Sequence, residues 1–250
     1  MIFKVKKTTF FPKIGLFEML CPDSCRGCGA QGELLCERCK KYIFEHYRNV
    51  GKNYDENVFE KVFGVGYRDE IIGELVEEYK YYSLRGMARV LAEILDNTVL
   101  REMGAIVDGK SKPVVVPLPT TRKHIRARGF DHVELILKKS DEVQERFETK
   151  RLLLRAKDSV QVGASEKMRL KQAKDAYKFN PRYLNNGVII DEFKDRPVVL
   201  FDDIWTTGAS LTEGAKILHD AGVSRVYGIV LAVNRRGRKP ILRRGNFDDI

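Results

Sequence analysis

The stretch Val198–Ser210, VVLFDDIWTTGAS, decides the fold. Its first four residues, Val198 to Phe201, are apolar at every position, the pattern of a strand buried on both faces. The run meets two carboxylates, Asp202 and Asp203, and then a Thr206-Thr207-Gly208 turn. Beyond the turn the spacing predicts a helix from Leu211 to Ala221, stopped by Gly222. Two further apolar runs repeat the strand pattern. Val114 to Val116 ends at Pro117 and is followed by a predicted helix from His132 to Lys139; Val226 to Val233 reads VYGIVLAV. Continuous apolar strands separated by helices predict an α/β protein, a parallel sheet with helices on both faces.

Ligands of such sheets bind outside the carboxyl ends of the strands, which is where the acid pair and its turn fall. Thr206, Thr207, Gly208, Ala209 and Ser210 offer backbone N–H groups at a helix N-terminus together with three hydroxyls, a cradle for one phosphate. Gly208 lets the backbone approach that phosphate closely. Two aspartates touching a phosphate would repel it. They make sense facing sugar hydroxyls, or a magnesium ion bound through water. The segment therefore describes a phosphorylated sugar. Aspartates that merely cap the helix are the plainer alternative, but strand, acid pair, threonine pair and glycine agree in order. The turn after Val116, Pro117 to Thr121, also ends a strand and should share the same edge. Arg122, Lys123, Arg126 and Arg128 behind it supply charge for a pyrophosphate or for nucleic acid.

The chain has 250 residues and a formal net charge of +10. The surplus is local: Lys112 to Arg128 holds five basic residues and no acidic one, and the tail from Asn234 to Ile250 holds six against two. Such clusters suit a polyanion or a solvated basic face. A hydrophobic fraction of 43% excludes global disorder. No stretch approaches 18 uninterrupted apolar residues, so no membrane insertion is expected. The first twenty residues lack a small-residue cleavage site, which predicts a cytoplasmic protein without a signal peptide.

All five cysteines lie between Cys21 and Cys39. Cys25-x2-Cys28 and Cys36-x2-Cys39 form two knuckles, and four thiolates are the set a structural zinc ion takes. With every position filled by cysteine, none is open for water, so the metal is expected to be structural. Cys21 is spare. The organisation that follows is a zinc-finger module over residues 1–48, an α/β domain over 49–233 with a helical stretch from Glu70 to Leu95 broken at Gly86, and a basic tail over 234–250.

VVLFDDIWTTGAS resembles the signature with which type I phosphoribosyltransferases bind 5-phosphoribosyl-1-pyrophosphate (PRPP) and magnesium. Other segments narrow the resemblance to the ComF family, named for a competence protein of bacterial DNA uptake. The knuckles resemble its N-terminal finger. EEYKYYSLRGMARVLAEIL resembles its helical stretch with a Lys, an aromatic and a glycine, and VVVPLPTTRKHIRARGFDHVELI its Pro-x-Pro strand end and Arg-Gly-Phe-Asn-Gln box. Leu153 to Phe179 resembles its linker with a Gln-x-x-x-Ser core. The match runs in family order from about residue 15 to 233.

The resemblance implies a type I phosphoribosyltransferase-like sheet. Asp202 and Asp203 would hold the ribose hydroxyls, position magnesium and serve as the catalytic pair. Thr206 to Ser210 would take the 5-phosphate. Pro117, Leu118, Pro119 and Thr120 would form the pyrophosphate loop, with Arg128 among the groups binding PRPP. The implied setting is the handling of single-stranded DNA during uptake; the alternative is a metabolic transferase passing 5-phosphoribosyl to a nucleobase or other amine. Turnover, acceptor and oligomeric state stay open, and no cysteine outside the finger could serve as a glutaminase nucleophile. Two departures stand out. The family box reads Arg128-Gly129-Phe130-Asp131-His132, and bulky Phe201 and Trp205 flank the acid pair. Trp205 is read as packing inward. His132, opening a helix with no partner visible in the sequence, is assigned no acid–base role.

Overall fold

The structure is a computed structural model that describes residues 23–51, 54–82, 84–104, 111–156 and 176–235. Its centre is β8, Val198–Trp205, whose neighbours are β9 (Val226–Val233) on one side and β2 (Val114–Pro117) on the other. β1 (Lys61–Tyr67) and β3 (Glu148–Thr149) complete a five-stranded sheet of order β1-β9-β8-β2-β3, parallel throughout. Two short antiparallel pairs lie outside it: β4 (Leu153–Arg155) with β5 (Tyr177–Phe179), and β6 (Leu184–Asn185) with β7 (Val188–Ile189).

Side chains alternate across β8, and the two faces feed two cores. Val199 and Phe201 pack on the side of α2 (Ile71–Tyr82), α3 (Met87–Leu95), α5 (His132–Lys139) and α6 (Asp141–Arg146). Val198 and Leu200 pack against α8 (Ala209–Asp220), β4, β5 and Phe193 of α7 (Asp191–Lys194). Helices on both faces of a parallel sheet are the expected α/β architecture. No helix among the described residues is long and apolar enough to cross a membrane.

Three details differ from the sequence expectation. β8 does not stop at Phe201 but carries the acid pair inside it and ends at Trp205, because Asp202 and Ile204 continue the ladder with Val230 and Ala232 of β9. The helix after the turn starts at Ala209 rather than Leu211. Residues 56–69, to which sequence patterning assigns no element, contain β1. Its Gly64 fits an edge where a Cβ would come within 2.9 Å of Val233 Cγ2, and that glycine breaks the β-branched pattern of a strand. Cys21, most of the tail and the 157–175 part of the linker lie outside the described residues.

The chain between β2 and β3 is set by caps. Thr121 accepts the N–H of His124 and opens α4 (Arg122–Arg128); Gly129, at φ 78°, closes it in the left-handed region. Asp131 accepts the N–H groups of Val133 and Glu134 to open α5, and Ser140 accepts that of Val143 to open α6. Three helices are thus placed within 25 residues, with fixed corners at Gly129 and Ser140.

Candidate functional site

The four cysteines of the two knuckles converge. Cys25, Cys28, Cys36 and Cys39 place their sulfurs within 4.8 Å of one another. A tetrahedral zinc site with Zn–S near 2.3 Å needs sulfurs about 3.8 Å apart; Cys28 Sγ and Cys36 Sγ stand 3.6 Å apart. Backbone amides bring the Cys25 and Cys28 thiols down, whereas burial pushes those of Cys36 and Cys39 up. The N–H of Cys36 lies 3.3 Å from Cys25 Sγ, and the backbone at Ala30 leads the effects that bring the Cys28 thiol down to about 6. Gly29 and Gly32 adopt positive φ values of 79° and 113°, which the tight knuckle turns need. The donor set, spacing and amides fit one zinc ion with no open position.

The knuckles do not stand apart from the sheet. Cys25, Cys39, Leu35 and Ile43 of α1 (Glu37–Glu45) belong to the same buried cluster as Phe63, Ile72, Leu75 and Met87. Gly27 has no room for a Cβ between Cys39 Sγ and Ile71 Cδ1, each 2.7 Å from where it would sit. Arg26 pairs with Glu78 on α2, and Lys40 with Glu93 on α3 at 2.9 Å.

At the carboxyl end of β8 the acid pair is built differently. Asp203 is 4% exposed, and its Oδ2 lies 2.7 Å from Lys80 Nζ and 2.5 Å from His132 Nε2. Arg128 Nη1 lies 3.0 Å from His132 Nδ1, while its Nε donates to the carbonyl of Lys80 at 2.9 Å. Arginine has no acceptor, so Nδ1 accepts and the ring donates through Nε2 to Asp203. Tyr79 donates to the His132 carbonyl at 2.9 Å and packs on Phe130. His132 therefore has partners on both ring nitrogens, where the sequence shows none.

The two carboxylates titrate apart. Burial, and next the charge of Asp203, push Asp202 up to about 8. Burial would raise Asp203 as well, but the Lys80 charge and the His132 bond overcome it and hold that carboxyl well below the usual carboxylate range. Asp202, half-buried, accepts the N–H of Asp203 at 2.9 Å. The nearby Tyr177 phenol is raised by burial and then by the charge of Asp202.

The turn has the form its glycine suggests. Gly208 sits at φ 77°, directly before α8, and Thr207 Oγ1 accepts the N–H of Ala209 at 3.3 Å. A Cβ on Gly208 would fall 2.1 Å from Trp205 Cζ2, so Trp205 packs under the turn; it also meets Phe59 edge-on at 6.3 Å. Pro117 pairs with Phe201, and the Leu118 N–H donates to the Phe201 carbonyl at 2.9 Å. The turn from Pro117 to Thr121 therefore shares the edge of the acid pair. Thr120 Oγ1 lies 3.3 Å from Asp131 Oδ1. Of the four basic residues of α4, Arg128 points inward, whereas Lys123 and Arg126 are exposed.

Lys80 is the site residue that sequence reading missed. Its segment carries the ComF resemblance, but nothing in the order of residues says that this lysine meets an aspartate 123 positions on. Fold and site together define an α/β protein with an acid pair toward the carboxyl edge of a parallel sheet and a four-cysteine cluster that could hold a metal ion. Among solved structures the chain is similar to a hypoxanthine phosphoribosyltransferase from Staphylococcus aureus, at 12% identity and a TM-score of 0.33, over 62% of this chain and 66% of that one. The match spans just under two thirds of that structure, and a likeness of this size fixes no residue correspondence. No protein-family model matches the sequence, and no curated protein matches it.

Proposed function

We propose that the chain is a ComF-type protein of phosphoribosyltransferase-like fold that binds PRPP with magnesium at the edge formed by β8 and β2. One observation carries the reading: an acid pair lies in the carboxyl-terminal half of the central strand, and the chain then passes through the positive-φ Gly208 straight into the N-terminus of a twelve-residue helix. The ribose lies against Asp202, and the 5-phosphate takes the amides and hydroxyls of Thr206 to Ser210. The pyrophosphate lies toward Pro117 to Thr120 and the Arg128 side of α4. Asp202 offers a hard oxygen ligand of the kind magnesium takes, directly or through water. Bound there, magnesium would neutralise part of the pyrophosphate charge. The chain's own share is positioning: it fixes the sugar between Asp202 and the turn, and presents amides to the phosphate.

Displacement of pyrophosphate by a nitrogen nucleophile is the reaction such a site would run, which makes a metabolic transferase the second reading. A setting in single-stranded DNA handling is favoured by exposed Lys123 and Arg126 and by Tyr81, 74% exposed at the end of α2, cationic and aromatic side chains of the kinds that meet backbone and bases. Zinc in the finger is structural in either reading.

Thermal melting with PRPP, with and without magnesium, tests the proposal. Ligand at a hundred times its dissociation constant adds about 2.7 kcal/mol. A magnesium-dependent rise in Tm that Asp202→Asn removes is the expected result; no rise at millimolar PRPP overturns it. DNA binding separates from PRPP binding by its steep loss with salt.

A further inference from the structure

We propose that the two aspartates divide the work: Asp202 is the carboxylate that meets the ligand, and Asp203 is a positioning residue, held by Lys80 and His132 and making no ligand contact. For the identity of the ligand this rests on the PRPP reading above.

Four residues close a ring. Lys80 gives its ammonium to Asp203 and its carbonyl to Arg128; Arg128 donates to His132, and His132 donates to Asp203. Each bond has one possible direction. Arg128 and Lys80 can only donate, so Nδ1 of His132 accepts and its Nε2–H is committed to Asp203. The Tyr79 hydroxyl fixes the histidine backbone from behind.

The ring is also largely shielded from solvent. Lys80 and Asp203 side chains are 19% and 5% exposed, and the bonds of both donors meet on the same oxygen, Oδ2. Drawing that oxygen away toward a sugar hydroxyl would leave the Lys80 ammonium without its counter-ion, and the other oxygen, Oδ1, belongs to a side chain only 5% exposed. Asp202 is placed the other way. It is half-buried, and among the described residues no side-chain cation hydrogen-bonds it; its Oδ1 accepts the N–H of Asp203.

The test is PRPP binding by the full chain with magnesium, followed by calorimetry. Asp202→Asn and Lys80→Met are each expected to weaken binding by about tenfold or more, the second because it leaves the Asp203 charge unpaired beside Asp202. The double variant Lys80→Met/Asp203→Asn removes both charges and is expected to bind within about threefold of wild type. Binding by the double variant as weak as that of Asp202→Asn overturns the proposal, since Asp203 would then be a ligand group. A long-range proton–nitrogen spectrum of His132 in the wild type needs no ligand: protonated Nε2 with bare Nδ1 is expected, and the opposite tautomer or a doubly protonated ring at neutral pH overturns the ring. Wild-type protein that binds no PRPP defeats the functional reading alone, and the spectrum then decides the ring.

Discussion

The cysteine cluster and the acid pair are both compact polar sites, but they are assembled over very different lengths of chain. The four thiols come from Cys25 to Cys39, and two amides of the same short segment point at the sulfurs. Asp203 draws its partners from Lys80 and His132, on two helices far away in sequence. A local site can be written in spacing, because two-residue gaps already fix where the ligands fall. A distributed site is written only in the packing of helices on a sheet. Substitutions in the first should act mainly through the metal, and in the second through charge left without a partner.

Removing the metal is the harshest way to probe that contrast. Because Cys25 and Cys39 lie in the main core, strong chelation or Cys39→Ser is expected to cost more than about 4 kcal/mol, lowering Tm by about 10 °C or more. Calorimetric melting with zinc measured in parallel checks it, and a finger that melts alone while the sheet stays folded would break the comparison. Lys80→Met should come next, at about 3 kcal/mol, because it strands a buried carboxylate. Adding Asp203→Asn should recover most of that loss in denaturant titration. Gly208→Ala follows at about 2 kcal/mol, from the positive φ and the clash with Trp205.

The pH dependence is the sharpest in sign. Asp202 is raised above its unfolded value, so the folded state holds the extra proton and stability falls as pH rises from about 4 to about 8. Asp202→Asn should therefore gain on wild type in Tm at pH 8.5 and lose that gain near pH 4. Asp203 has the opposite slope. Its stabilisation is full above the unfolded value near about 4 and fades as pH falls through its lower folded value. Melting curves across pH for the two single variants should therefore diverge in opposite directions.

The strands at the centre of the sheet were legible because Val114–Val116, Val198–Phe201 and Val226–Val233 are apolar at nearly every position, which only a twice-covered strand demands. β1 was not, since Gly64 and Gly66 replace the branched residues that announce a strand, and β3 is two residues long. At the acid pair, Asp202, Asp203 and Gly208 could be read from their order along one segment. Lys80 and His132 could not: a lysine in an amphipathic helix and a histidine at a helix start look solvated until the fold brings them to Asp203. The same holds for Arg128, one of four basic residues in α4, singled out by the Gly129 corner and the Lys80 carbonyl.

The packing of the knuckles into the main core bears on the timing of synthesis. A ribosome releases the four cysteines well before Ile72, Leu75 and Met87, the side chains that share their buried cluster. A metal ion held by these thiols would therefore load while the knuckles are still open to solvent, and the later helices would then close over two of its four ligands. Escape from the finished protein would require those helices to lift, so the ion should exchange slowly, kept in place by the order in which the chain was made.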